Sequence, residues 1–386
     1  MEAHTAEDCG ESGIVSERLK ELERMARGVV VFAPNEVWRV YTGGRLFHEL
    51  RGQADARDSY YPEDWIASMT RADNPPRDGA PALEGFSVIR GTNVPFALLV
   101  ELFPELILGK QHYRAFGPTT RVLAKFLDSA VRLPIQAHPD DDLAEALFDA
   151  PVGKTEAWII VGTRKIGDVE PYILLGFKPG VDKKEFHRMV LAQDTQAQIE
   201  TLHRIPVKPG EAYLVTGRTA HAIGSGVFMI EVQQPSDLVV HTERKCVDVE
   251  IAEEICHMGL GWDRALEVFD YSGETLEQLM ARTRLQPRVI AKQDGGQVSQ
   301  LIGYERTPHF ASRGISVAPG GKLPLKNDRF YAAAVVRGGA SVTWAGGHVE
   351  LRAGDAFFVS NAAAEHEYAA GAAGLGIITA EPPVLE

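Results

Sequence analysis

From Val29 to the C-terminus the chain keeps returning to one pattern: short runs rich in valine, isoleucine and phenylalanine, closed off by glycine, proline, asparagine or aspartate. "EVWRVYTGG", "FSVIRG", "FALLVELF", "EAWIIVG", "PYILLGF", "EAYLVTG" and "GVFMIEVQQ" all share it. Runs this short, enriched in β-branched and aromatic residues and set off by turn formers, read as antiparallel strands. Many such strands in succession close into a sandwich or barrel. The fold class that follows is mainly β.

Two segments break the pattern. Residues 182–205, "DKKEFHRMVLAQDTQAQIETLHRI", place apolar residues at helical spacing between two strand runs, and residues 247–286 carry two or three further helical stretches. The first reads as an excursion from one β unit and the second as a divider. After Pro287 strands resume, with "GGHVELRAGDAFFVS" as a strand, turn and strand. At the N-terminus, residues 1–14 read as a tail, followed by a short helix with Ser16 as N-cap and Gly28 as its stop. The expected organisation is a tail and helix (1–28), a first β domain (29–246) with its excursion at 182–205, a helical segment (247–286) and a C-terminal barrel (287–386).

Charge excludes several functions. The chain has 386 residues and a formal charge of −13, so it repels nucleic acid and anionic membranes, and neither is an expected partner. Cys9, Cys246 and Cys256 show no paired metal spacing and no disulfide framework. The first thirty residues are charged, with no signal-peptide core, and the expected location is the cytoplasm.

The chemistry concentrates in "LPIQAHPDD", "GKTEAW" and "GRTAHAIGSG". Residues two apart on a strand face the same way, so Gln136 and His138 project into one space. Glu156 opens another apolar run and His221 opens a third. An amide, a carboxylate and two imidazoles without thiolate suit a borderline cation such as Zn²⁺ and leave room for water or substrate, as a catalytic site does. A lone histidine in a β protein is commonly a hydrogen-bonded core or surface residue, and His112, His187, His203, His309 and His348 take that reading.

His221 follows Gly210 by eleven residues in "GEAYLVTGRTAH", the spacing of the second cupin motif. Together with "VWRVYTGGRLFHELRG", "YPEDWIAS", "AKFLDSAVRLPIQAHPDD", "GKTEAWIIVG", "VKPGEAYLVTGRTAHAIGSGVFMIEVQQPSD" and "RALEVFDYS", it makes residues 36–275 resemble the class I mannose-6-phosphate isomerases of the cupin superfamily. That resemblance implies two cupin-type β-barrels of jelly-roll form with a helical insertion or divider, and interconversion of mannose 6-phosphate and fructose 6-phosphate through an enediol. It implies zinc on Gln136, His138, Glu156 and His221, Lys154 in the active site, and Glu63 and Trp65 near the sugar.

The sequence departs from the family where substrate binds. Arg218 stands in the turn before His221 in place of a glycine, and His241 stands where the family carries an arginine. Arg218 and His241 are therefore candidate catalytic positions, and Arg218, Arg244 and Lys245 are candidate replacements for the phosphate-binding cation. Pro134 replaces a serine beside the site. Two alternatives follow: a metal-dependent isomerase of a non-phosphorylated or differently decorated sugar, and a non-catalytic sugar-sensing cupin. In the C-terminal barrel the eleventh residue after Gly354 is Glu365, and His366 falls one later. A one-residue slip turns a side chain to the other face, so this barrel is expected to be structural and metal-free. The oligomeric state is left open.

Overall fold

The computed structural model of the chain describes residues 7–385, with side-chain surroundings from Ser16 onward. Residues 1–6 of the expected tail lie outside the described residues, but Glu7–Ala26 is one helix. Ser16 is therefore interior to that helix and does not cap it. Among the described residues no helix is long and apolar enough to cross a membrane.

The molecule is mainly β, built on three large antiparallel sheets. The central sheet has seven strands, in the order Arg284–Leu285, Ala212–Val215, Glu156–Thr163, Val227–Gln233, Leu123–Ser129, Glu63–Ile66 and Glu36–Val37. A five-stranded sheet runs Val240–His241, Gln136–Ala137, His221–Ile223, Tyr172–Phe177 and Leu202–Pro206. These two form a jelly-roll-like sandwich, and a nine-stranded sheet makes the C-terminal unit.

Strand alternation explains why the central runs carry apolar residues on both faces. Trp158 and Ile160, Tyr213 and Val215, and Val227 and Met229 point into the core shared with the five-stranded sheet. Their neighbours Ala157 and Ile159, Ala212 and Leu214, and Phe228 and Ile230 point the other way, into a second core. The C-terminal sheet contributes Phe330, Ala332 and Phe358 to that second core. A sheet covered on both faces needs continuous hydrophobic strands, and these strands provide them.

Three expectations are corrected by the packing. Phe96–Leu102, read as a strand, is a helix. Phe96, Leu99 and Val100 are its buried residues, the i, i+3, i+4 stripe of an amphipathic helix. Residues 247–286 do not divide two domains: Trp262, Leu266, Phe269 and Leu279 pack into the sandwich core, and Arg284–Leu285 adds a strand to the central sheet. Val29–Val31, expected to open the first β domain, pairs with Ala356–Val359 of the C-terminal sheet.

Candidate metal centre and its cavity

Strand pairing converges on one point between the two sheets of the sandwich. His221 stands opposite Gln136 in the five-stranded sheet, and Glu156 reaches in from the first position of its strand in the central sheet. Glu156 Oε2 lies 3.2 Å from His138 Nε2, and its Oε1 lies 3.4 Å from His221 Nε2. The side-chain amide of Gln136 is 3.1 Å from the same nitrogen of His221. Ligand atoms of His138, Glu156 and His221 all fall within 4.8 Å of one another, and all three residues are buried. This triad could hold a metal ion.

The surroundings orient the set for that purpose. His138 donates its Nδ1–H to Leu238 O at 2.8 Å and His221 donates its own to Thr219 O at 2.8 Å. Both tautomers are thereby fixed with the Nε2 lone pair facing Glu156. Burial pushes the imidazole of His221 down to about 3 and lowers that of His138, so both are neutral donors near pH 7. Burial alone would raise Glu156, but the ammonium of Lys154 beside it outweighs burial and holds the carboxyl well below the usual range. Trp158 Nε1 donates to Glu156 Oε1 at 3.0 Å. Neutral imidazoles and an ionised carboxylate converging with aligned lone pairs fit a divalent cation.

Lys154 Nζ already sits where positive charge is wanted, 2.5 Å from Glu156 Oε2 and 2.9 Å from His138 Nε2. The turn before His221 is shaped by its backbone. Arg218 adopts φ 71°, and its N–H donates to His138 O at 2.7 Å.

Above the triad opens a cavity of about 450 Å³. Gln136, His138, Lys154, Glu63 and His241 line it. His241 stands opposite Gln136 in the strand pairing and so shares its face. Burial, and then Arg39, push its imidazole down to about 4, and its Nδ1 has no partner. The structure does not bring the other candidates there. Trp65 is fully buried behind Glu63 and donates Nε1–H to Glu63 Oε2 at 2.7 Å. Arg218 turns outward, its guanidinium 3.4 Å from Glu267 O. Arg244 pairs with Glu253 at 3.0 Å and Lys245 with Glu250 at 3.2 Å, both away from the cavity.

Five charged residues that sequence reasoning passed over line the cavity: Arg39, Asp73, Lys125, Glu231 and Asp237. Lys125 Nζ is 3.1 Å from Glu231 and 3.4 Å from Glu63. Arg39 makes a two-pronged pair with Asp237, at 2.9 and 3.0 Å. Its Nε lies 3.0 Å from Glu63 Oε1 without the angle of a hydrogen bond. Tyr41 donates to Glu63 Oε1 at 2.5 Å. Burial would raise Glu63, but Arg39 and Lys125 hold it far below the usual carboxylate range. For Glu231 burial wins and, with Glu156 nearby, pushes its carboxyl up to about 7. The signal was present: Lys125 in "LAKFLDS" and Glu231 in "VFMIEVQ" are charges inside apolar strands, and they stand directly opposite each other.

No protein-family model matches the chain. Mannose-6-phosphate isomerase ManA of Bacillus subtilis is 37% identical over 134 residues, 34% of this chain and 40% of that protein. The mannose-6-phosphate isomerase of Streptococcus mutans is 32% identical over 157 residues, 40% of this chain and 45% of that protein. The chain thus spans less than half the length of the curated relatives it matches. Among solved structures, the mannose 6-phosphate isomerase of Bacillus subtilis superposes with a TM-score of 0.69 at 18% identity, over 92% of this chain and 99% of that one. The apo form of the Salmonella typhimurium enzyme gives 0.67 at 14%, over 92% and 100%. The fold is that of these isomerase structures.

Proposed function

We propose that the chain is a zinc-dependent isomerase that interconverts mannose 6-phosphate and fructose 6-phosphate. The observation that carries this reading is the convergence of Gln136, His138, Glu156 and His221 on one point, with Gln136 and His138 lining a cavity that also holds Lys154 and Glu231. The names of the matched relatives supply the substrate pair. Buried free thiols at Cys246 and Cys256 suit action in the cytoplasm on a small molecule.

The reaction moves a proton from C2 to C1 of the open-chain sugar through an enediol, with no net redox change. Zinc, held by Gln136, His138, Glu156 and His221, would supply Lewis-acid stabilisation of the oxygen on which negative charge develops. The proton needs a group able to take it and give it back near neutral pH. Glu231, a cavity carboxyl with a pKa raised to about 7, suits that task in acid strength. Lys154 presents an ammonium beside the ligands, able to donate to the sugar oxygen as charge builds. Glu63 and His241 offer an acceptor and a neutral imidazole to sugar hydroxyls.

One observation favours a second reading, an isomerase of a non-phosphorylated sugar. The cavity cations Arg39 and Lys125 are each already matched by carboxylates, Lys154 sits on Glu156, and neutral His241 cannot grip phosphate in a two-pronged way.

Coupled-assay turnover of the zinc-loaded protein on mannose 6-phosphate beside free mannose separates the two. Turnover of the ester, lost on chelation and restored by zinc, is the expected result. Turnover of free mannose alone would move the assignment to the second reading. Full activity without metal would end both, and sugar-dependent stabilisation without turnover would point to a sensing role.

A further inference from the structure

One wall of the cavity is a loop, and the residue that ties it down also adjoins a carbonyl that orients a proposed metal ligand. Asp73, Asn74, Pro75 and Pro76 face the cavity. Asp237 Oδ2 accepts from the backbone N–H of Asp73 at 2.8 Å, while both of its oxygens hold the guanidinium of Arg39. Arg39 Nη1 in turn donates to Asn74 Oδ1 at 3.2 Å. At its far end the loop is pinned on Glu84, which accepts from Asn74 Nδ2 at 3.1 Å, from Trp38 N at 3.1 Å and from Arg77. The pair of Arg39 and Asp237 is nearly buried, with side chains 11% and 10% exposed. A two-pronged ion pair in that setting is geometrically strict.

The residue after Asp237 is Leu238, whose carbonyl accepts the Nδ1–H of His138. The turn carrying both is braced by its own hydrogen bonds. Gln233 Nε2 donates to Gln234 O at 3.1 Å and Ser236 O at 2.6 Å, and Leu238 N donates to Ser236 Oγ at 3.3 Å. A displacement of the Asp237 side chain is therefore passed to the carbonyl that sets the orientation of His138. We infer that Asp237 is a positioning residue that couples seating of the 71–84 loop over the cavity to the orientation of the proposed metal ligand His138.

The coupling is reciprocal by thermodynamic necessity: if the seated loop favours metal binding, bound metal must favour the seated loop. The inference rests on the metal-site half of the proposed function and not on the sugar. Both readouts are accordingly taken without sugar.

The first is hydrogen exchange of the wild-type protein with and without zinc, where zinc slows exchange in residues 71–84. The second is zinc affinity by chelator competition for Asp237→Asn, which is expected to bind about tenfold more weakly, in the range seen for partners of metal ligands, and to lose the zinc-dependent protection of the loop. Arg39→Gln breaks the same latch from the other side and serves if Asp237→Asn does not fold. Exchange in the loop that ignores zinc in the wild type, or zinc affinity within twofold of wild type in a folded variant with a loosened loop, overturns the coupling. Intact coupling in a protein that turns over no sugar would remove the isomerase reading and leave this one standing.

Discussion

At the scale of single residues the site is a contest for Glu156. Lys154 and the proposed metal draw on the same carboxylate oxygen, and Lys154 also touches the Nε2 that His138 would offer to the ion. Removing the ammonium therefore affects binding and chemistry in opposite directions. Lys154→Met is expected to bind zinc at least as tightly as the wild type while turnover falls by about 10²–10⁴, the usual weight of a proton-handling group. Metal competition and steady-state kinetics on the same preparation check both halves, and a loss of zinc affinity would show that Lys154 supports the site instead of competing for it. Of the four proposed ligands, Gln136 and His138 were legible from strand periodicity, and Glu156 and His221 from their places at the head of apolar runs, His221 eleven residues after Gly210. Arg218, Arg244 and Lys245 were not, because on turns and short edge strands the direction of a long side chain is set by packing. Arg218 follows the helical segment to Glu267, a contact no local pattern encodes.

At the scale of elements, the β pattern was legible wherever a strand is buried on both faces. It failed at Phe96–Leu102, where a short apolar run satisfies helix and strand alike and tertiary context decides. The slipped histidine of the C-terminal sheet went the other way as well. Within Glu365–Ala380, His366 faces the interior and Glu365 faces solvent, pairing with Lys326 at 2.6 Å. Both nitrogens of His366 are engaged, Nε2 with Tyr331 Oη at 2.8 Å and Nδ1 with Ala363 O at 3.0 Å. Burial pushes this imidazole from 6.5 down to about 4. The unfolded chain thus binds the proton at higher pH than the folded one. The stability from His366 is complete above the unfolded value and is lost as pH falls toward the folded one, about 3 kcal/mol across that window. Denaturant unfolding of His366→Gln between pH 7 and pH 4 should show a pH dependence flatter by that amount, and a profile parallel to wild type would mean that other groups govern acid stability.

At the scale of the whole molecule, the central sheet does two jobs with one set of strands. One face builds the sandwich that holds the candidate metal centre, and the other is closed by the C-terminal sheet through Phe228, Ile230, Phe330 and Phe358. Val29–Val31 ties the start of the chain into that same C-terminal sheet. An N-terminal unit cut at residue 286 would expose the second face, so the two units should unfold together. Phe358→Ala tests this from the side far from the metal. Truncating a fully buried phenylalanine removes about 3–5 kcal/mol. If the second core is shared, amide protection must fall by a similar amount in Val227–Gln233 and in Tyr331–Trp344, while the affinity of the folded protein for zinc is unchanged. Loss of protection confined to the C-terminal strands would mean that the sandwich stands alone, and that the nine-stranded sheet is a separate body resting on it.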